Sequence, residues 1–492
     1  MSEYQFAALL LASIGPALAL SRLANLPGSI VLFGLGLASA SVPGLPETAT
    51  DPRLVLGLFL PPLLYASTVR VTWHLLRFTW APGAVVGVAL ALVTIGAVAL
   101  AVRLALLPGL SWTGALLLAS IAALFDTRLF HEAKGRPHVP RAVADALKAR
   151  ELVTRLVVVA TFGLVVEAAR EGGASALDVA EHYALHIPGG LLLGSGIGAV
   201  IAAARRRIDP APVEIAVSVA TPYLAALLAS ALGLSVVGAV TAAALVVSAV
   251  RVDRRTGAPI SSSETRVSAA AFWEEVSLIV SGALFVLAGR ALPEALRALQ
   301  VWPLWQLLAA SAGVLGLVLL LQLAASYLST GLTPVAEGVG GRRRPAAAGA
   351  MAWASTRSVI GLVLALSIPA ALPDGRPFPE RDLVLVVAAL TVVGSLLVQG
   401  LTLRAVVARA GLAAEDETAG EKDLARRAIE GALAAPRAEH ANGYDAARQA
   451  LVRLREEDWI GDEVLVAMLR ETDLMARAAE GDALPGAGPP NP

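Results

Sequence analysis

Thirteen stretches of mostly apolar residues recur along this chain, beginning near residues 5, 27, 53, 81, 112, 151, 184, 213, 233, 269, 303, 350 and 383. Each approaches the roughly 20 residues that a helix needs to cross a bilayer. Hydrocarbon offers no hydrogen bonds, so a spanning backbone must satisfy itself, as a helix does. The second and ninth stretches are short and rich in glycine. Composition agrees: 56% of residues are hydrophobic and 16% charged, against about 25% charged in soluble domains. The chain therefore reads as an all-α polytopic membrane protein of about 13 transmembrane helices. The first stretch carries no small-residue cleavage site after a basic start, so it reads as a span rather than a signal peptide.

Basic residues fall in alternate loops. The first series holds Arg22, then Arg70, His74 and Arg77, then Arg128, Lys134, Arg136, Arg141, Lys148 and Arg150. It continues with Arg205 to Arg207, with Arg251, Arg254 and Arg255, and with Arg342 to Arg344. The intervening loops, such as Ser41 to Asp51, are poor in arginine and lysine. The positive-inside rule then places the amino terminus outside and the carboxyl terminus in the cytoplasm. An odd number of spans gives the same answer. Only 3 of the 39 basic residues are lysine, which points to a GC-rich bacterial genome and so to a bacterial inner membrane.

The chain divides near residue 411. Residues 1–411 form the membrane domain, 412–484 an acidic helical cytoplasmic tail, and 485–492 a Gly/Pro-rich, disordered end. Formal net charge is zero, yet residues 412–492 hold seventeen acidic and nine basic side chains. Neutrality is thus an average over a basic membrane face and an acidic appendage. That balance argues against a nucleic-acid partner, which requires a basic surplus. With no cysteine, disulfides, thiolate metal sites and cysteine nucleophiles are excluded. The histidines read as scattered, and no metal centre or cofactor is expected. No G-x-x-x-x-G-K-[ST] loop occurs, so the chain is not read as an enzyme driven by a nucleotide.

Ionisable residues inside spans are costly and mark function by default. Asp126 ends the apolar run from Gly114, Arg155 precedes the run Val157 to Val166, and Arg357 lies within Met351 to Ile368. Mutual pairing is their most economical arrangement, because an unpaired buried charge costs several kcal/mol. Arg290, Glu274 and Glu275 read instead as interfacial residues whose long stems reach water. Pro61 and Pro62 interrupt a further span. Prolines free backbone carbonyls that protein or water must then satisfy, and broken helices are where transporters bind ions.

Several motifs carry a family resemblance. Phe59-Leu-Pro-Pro-Leu-Leu-Tyr65 resembles the F-L-P-P-L-L-F signature of bacterial sodium/proton exchangers, within the monovalent cation/proton antiporter superfamily. The run from Trp353 through Arg357 to Pro369 is similar to that family's W-x-G-L-R-G-A-V-S-L-A-L-A-L-S-L-P, without a gap. Leu396 to Thr402 resembles L-L-V-Q-G-L-T, and Phe285 to Gly289 resembles F-V-L-x-G. Glu214 to Gly233, with Thr221-Pro-Tyr, is similar to the eighth span. The resemblance implies inverted structural repeats, a six-helix core moving against an interface domain, and a homodimer. It implies exchange of a monovalent cation, sodium or potassium, for protons.

At the ion site the sequence departs from that pattern. Where the family carries T-D-P, this chain has Leu124-Phe-Asp126-Thr127, keeping the aspartate alone. Arg150-Glu-Leu-Val-Thr-Arg155 falls on E-S-L-L-N-D. The family's essential aspartate thus falls on Arg155 and its asparagine on Thr154. Its glutamate falls on Arg150, or on Glu151 after a one-residue shift. A glutamate common after the aromatic of the third span is Ala66 here, and Arg357 keeps the arginine that pairs with the glutamate in the family. The candidate ion and proton site is therefore Asp126, Thr127, Glu151, Thr154 and Arg155. If Asp126, Arg155 and Arg357 share one cavity, their sum is +1 before any ion arrives. Three activities stay open: antiport with Asp126 as the remaining carboxylate, a transport-silent or regulatory protein fixed by an Asp126–Arg155 salt bridge, or a carrier of a different, anionic substrate.

Overall fold

The computed structural model describes residues 3–24, 26–42, 51–69, 73–127, 141–173, 175–205, 207, 211–249, 263–299, 301–332, 344–409, 417–434, 443–457, 459–460 and 462–482. The described chain is almost wholly helical. Helices α1 (Glu3–Ala24) and α2 (Gly28–Ser39) open it. Next comes α3 (Leu60–Thr68), entered through a π-helical turn at Val55–Phe59. Then follow α4 (Trp73–Ala101), α5 (Trp112–Ala123), the two-residue strand β1 (Phe125–Asp126) and α6 (Arg141–Glu171). The second half runs through α7 (Ala176–Glu181), α8 (Ile187–Arg205), α9 (Ala211–Ala231), α10 (Val236–Ala249), α11 (Ser263–Ala298) and α12 (Leu304–Leu332). It then passes α13 (Arg344–Ala354), strand β2 (Thr356–Arg357), α14 (Val359–Leu366) and α15 (Arg381–Arg409).

Among the described residues, seven helices are long and apolar enough to cross a membrane by length and composition, and four shorter ones are apolar. The expected starts fall on or beside helices. Two of the six missing spans have a physical source: the segments carrying Asp126 and Arg357 are each interrupted by extended backbone, so neither half reaches full length.

Small residues let the helices touch backbone to backbone. A Cβ placed on Gly289 would lie 2.1 Å from the Phe33 carbonyl oxygen, and one on Gly36 would lie 2.1 Å from that of Val286. This reciprocal crossing of α2 and α11 explains the glycine of the Phe285–Gly289 motif. Along α8, a Cβ on Gly194 would meet the Ala239 oxygen at 2.0 Å. Backbone cannot yield as a flexible side chain does, so overpacking here is costly. Gly289→Val is expected to destabilise the protein by about 3 kcal/mol, read as a lower melting midpoint of the detergent-purified protein. An unchanged midpoint would show that the two helices separate freely.

Pro61 and Pro62 sit buried inside a helical run that continues from Pro52 to Thr68, where a missing N–H frees a carbonyl one turn back without turning the backbone extended. Pro62 cannot bond the Leu58 carbonyl four residues back, and the Tyr223 hydroxyl donates to it at 3.1 Å instead. The interruptions lie elsewhere, at the two short strands. Arg290 is buried at the end of α2, with Nη1 donating to the Ser39 carbonyl at 2.8 Å. His182 and His186 stand one turn apart with ring centroids at 5.0 Å, so these two are paired rather than scattered.

In the tail, α16 (Glu417–Ala434), α17 (Gly443–Glu456) and α18 (Asp462–Asp482) pack around their own core of Ala425, Ile429, Ala447, Leu451, Ile460, Val464, Leu465 and Met468. Arg448 is buried between Asp473 (2.8 Å from Nε) and Asp445. Helix α18 also packs against α11. Residues 410–416 and 485–492, where the domain boundary and the disordered end were expected, lie outside the described residues, as do the basic residues Arg128, Lys134, Arg136, Arg251, Arg254, Arg255, Arg342 and Arg343.

Candidate functional site

Two broken helices meet at the centre of the membrane domain. Strands β1 and β2 pair antiparallel, with Phe125 opposite Arg357 and Asp126 opposite Thr356. Further bonds lock the crossing: the Thr356 hydroxyl donates to the Asp126 carbonyl at 3.2 Å, and the Ser358 N–H to the Leu124 carbonyl at 3.3 Å. Ser358 then caps α14, its hydroxyl accepting from the Ile360 N–H.

Breaking a helix leaves carbonyls without donors, and the aligned peptides put about half a negative charge at each carboxyl end. Arg357 answers both costs. Its Nη1 donates to the Ala122 carbonyl at the end of α5 at 2.7 Å, and its Nη2 to the Ser355 carbonyl beyond α13 at 2.9 Å. The Gln399 amide donates to the carbonyls of Trp353 at 2.7 Å and Ser355 at 3.3 Å, and Ser395 accepts from the Arg357 N–H at 2.9 Å. Two sequence motifs, one around Arg357 and one around Gln399, are thus the two sides of one hydrogen-bond network. The resemblance led us to expect an arginine paired with a glutamate; here the guanidinium serves two helix ends.

Helix α6 supplies the other side. Glu151 accepts from the Thr127 hydroxyl at 2.8 Å and forms an ion pair with Arg155 one turn along. The second Arg155 nitrogen donates to the Ser67 hydroxyl at 2.7 Å. Thr127, Glu151 and Arg155 are therefore brought together. Thr154 turns elsewhere, its hydroxyl donating to the Gly87 carbonyl on α4 at 3.2 Å. Asp126 is buried on the strand. The expected Asp126–Arg155 salt bridge is not what Arg155 makes, because Glu151 is reached within its own helix. The expected excess positive charge changes accordingly: Glu151 balances Arg155, and Arg357 is balanced largely by the two helix ends.

Sequence reading missed two contributors. Ser67 gave no signal, since a lone serine at a helix end is commonplace. Arg150 was grouped with basic loop residues, yet it is 2% exposed. Its guanidinium lies 5.4 Å from the Phe125 ring centroid, and Nη1 reaches the Ser326 hydroxyl at 3.4 Å. The warning was its coincidence with a motif glutamate. No group of three or more His, Asp or Glu side chains able to hold a metal occurs among the described residues.

A multi-pass helical bundle built around two crossed, interrupted helices defines the class: a membrane antiporter fold. It is similar to MjNhaP1, a sodium proton antiporter from Methanocaldococcus jannaschii, with a TM-score of 0.63 at 14% identity over 84% of this chain and 99% of that one. The signature described as sodium/hydrogen exchanger, transmembrane, matches residues 9–409, and the chain belongs to that family of transporters. An uncharacterized Na(+)/H(+) exchanger of Mycobacterium tuberculosis is 29% identical over 434 residues, spanning 85% of this chain and 75% of that protein. A sodium, potassium, lithium and rubidium/H(+) antiporter of Bacillus pumilus is 24% identical over 379 residues, spanning 74% of this chain and 55% of that protein.

Proposed function

We propose that this protein exchanges a monovalent cation, sodium or potassium, for protons by alternating access, with Asp126 as the site carboxylate and Glu151 in support. The observation carrying this reading is the Glu151–Arg155 pair. A cation site requires negative charge, and at 4 Å an uncompensated arginine would oppose a cation by about 4 kcal/mol at an effective dielectric near 20. With Glu151 neutralising Arg155, the arginine no longer cancels Asp126. The proton carrier on this reading is a carboxylate, since arginine side chains are not proton carriers. The transport-silent reading required Arg155 to hold Asp126, whereas Arg155 bonds Glu151 and Ser67, which supports the exchange reading.

The membrane is a bacterial plasma membrane, with the amino terminus outside and the carboxyl terminus in the cytoplasm, a placement supported by the alternation of basic loops. Two copies form the working unit, and residues 412–484 form a separate cytoplasmic domain. The breadth of cations in the name of the Bacillus pumilus relative supports testing several.

In inverted vesicles, adding sodium, potassium or lithium is expected to dissipate an imposed pH gradient. No dissipation by any of them between about pH 6 and 9, the span in which such carboxylates work when perturbed, would sink the proposal. Arg155→Asp, assayed alongside, is expected to lower the half-saturating cation concentration by roughly tenfold or more, because the pair with Glu151 is replaced by two negative charges. An unchanged value would show that the charge of Arg155 does not reach the cation.

A further inference from the structure

Arg150 is the side chain for which the exchange reading has no use. Among the described residues it is the one arginine with two orphaned donors: Nε and Nη2 are buried without any hydrogen-bond partner. Nη1 has only the 3.4 Å contact to Ser326. The residue is 2% exposed. It meets the Phe125 ring, which belongs to an apolar cluster with Leu90, Leu147, Ala325 and Met351, and the Ser326 hydroxyl. A guanidinium held like this is expensive, because buried charge is tolerated when paired and fully hydrogen-bonded. The Phe125 face supplies a weak attraction to one flat side. It does nothing for the in-plane donors.

The electrostatics point the same way. Among the described residues, Asp126, Glu151, Arg150, Arg155 and Arg357 sum to +1, and Arg150 and Arg357 repel each other. The two helix carboxyl ends at Arg357 contribute about half a negative charge each, which brings the site near neutral rather than negative. One monovalent anion at Arg150 would return it to the sign that a cation requires.

We propose that Arg150 holds a resident small monovalent oxyanion, of the carboxylate or bicarbonate class, on its Nε–Nη2 edge. That edge presents two parallel N–H donors at the spacing of two oxygens on one carbon, the fork-on-fork match that makes arginine the preferred carboxylate ligand. A spherical ion cannot satisfy both donors in their own directions. The site stands on the geometry of Arg150 alone; only its consequence, a cation site restored to negative charge, rests on the exchange reading.

The test is the melting midpoint of the purified full chain at constant ionic strength. Formate or bicarbonate replaces gluconate, which is too bulky for the site. A saturable rise of roughly 5 °C is expected for the native protein. In Arg150→Met, which fills the site with an apolar chain of similar length, the rise is expected to vanish while the protein still folds. Arg150→Lys keeps the charge without the fork and is expected to lose the preference for formate over chloride. An equal rise in native and Arg150→Met protein, or none in either, overturns the proposal. Chloride matching formate on the native protein overturns the oxyanion assignment. Vesicle exchange assays are separate from this measurement, so loss of exchange with the anion response intact would remove the transport reading and leave the anion site standing.

Discussion

Asp126→Asn is expected to abolish cation-driven proton exchange while leaving the fold intact. The substitution keeps shape and hydrogen-bonding capacity, and the strand pairing uses the Asp126 backbone, not its carboxylate. What disappears is one negative charge at the crossing. A carboxylate 4 Å from a bound cation is worth about 4 kcal/mol at an effective dielectric near 20, close to three decades in affinity. The amide also cannot carry a proton. The measurement is the initial rate of pH-gradient dissipation in inverted vesicles, normalised to the amount of protein in the membrane, with thermal melting in parallel. Residual exchange above about a tenth of the native rate would transfer the role to Glu151, the other carboxylate beside the crossing.

Arg357→Ala is expected to cost the protein its fold. The guanidinium is the shared donor for Ala122 and Ser355, and it is buried at 2% exposure. Without it, two carbonyls at interrupted helix ends lose a buried donor, at about 1–3 kcal/mol each. The negative ends of two helices also face each other uncompensated. A loss of about 3–5 kcal/mol matches what removal of one buried charge partner typically costs. In practice that means little monodisperse protein from detergent extraction, and a strongly lowered melting midpoint for what remains. Arg357→Lys should rescue only in part, because a single ammonium cannot span both carbonyls as the planar fork does. Normal yield and melting for Arg357→Ala would mean that Gln399 alone holds the broken ends.

Taken together, these variants separate two roles that the sequence had placed in one cluster. Asp126, Arg155 and Arg357 all read as intramembrane charges in need of partners, and the economical guess joined them to one another. The structure assigns them three different environments: a strand side chain, an intrahelical ion pair and a double helix cap. Hydropathy cannot see this difference. It locates a charge along a span but not which carbonyls have lost their helical partner.

Some features were legible in advance because they are local. Apolar runs of spanning length dictate helices wherever they occur. Glu151 and Arg155 are four apart, so a helix puts them on one face. The motifs around Phe59, Arg357 and Gln399 carried the family. Others were not legible because their meaning is a contact between distant segments. The Pro61–Pro62 pair reads as a break until the Tyr223 hydroxyl is found on the Leu58 carbonyl. Arg150 reads as a loop residue until α6 is seen to carry it inward.

By itself, then, the sequence determined a membrane-spanning helical chain of the exchanger type, with one aspartate kept and one carboxylate replaced by arginine. Periodicity, length and charge spacing act along the chain, and those conclusions need nothing else. Tertiary structure alone decided which charges meet. Crossing two interrupted helices creates four exposed ends in a medium without water, and the side chains that satisfy those ends are recruited from anywhere in the sequence. Arg357 went to the carbonyls, Glu151 to Arg155, and Arg150 was left with donors that no protein group fills.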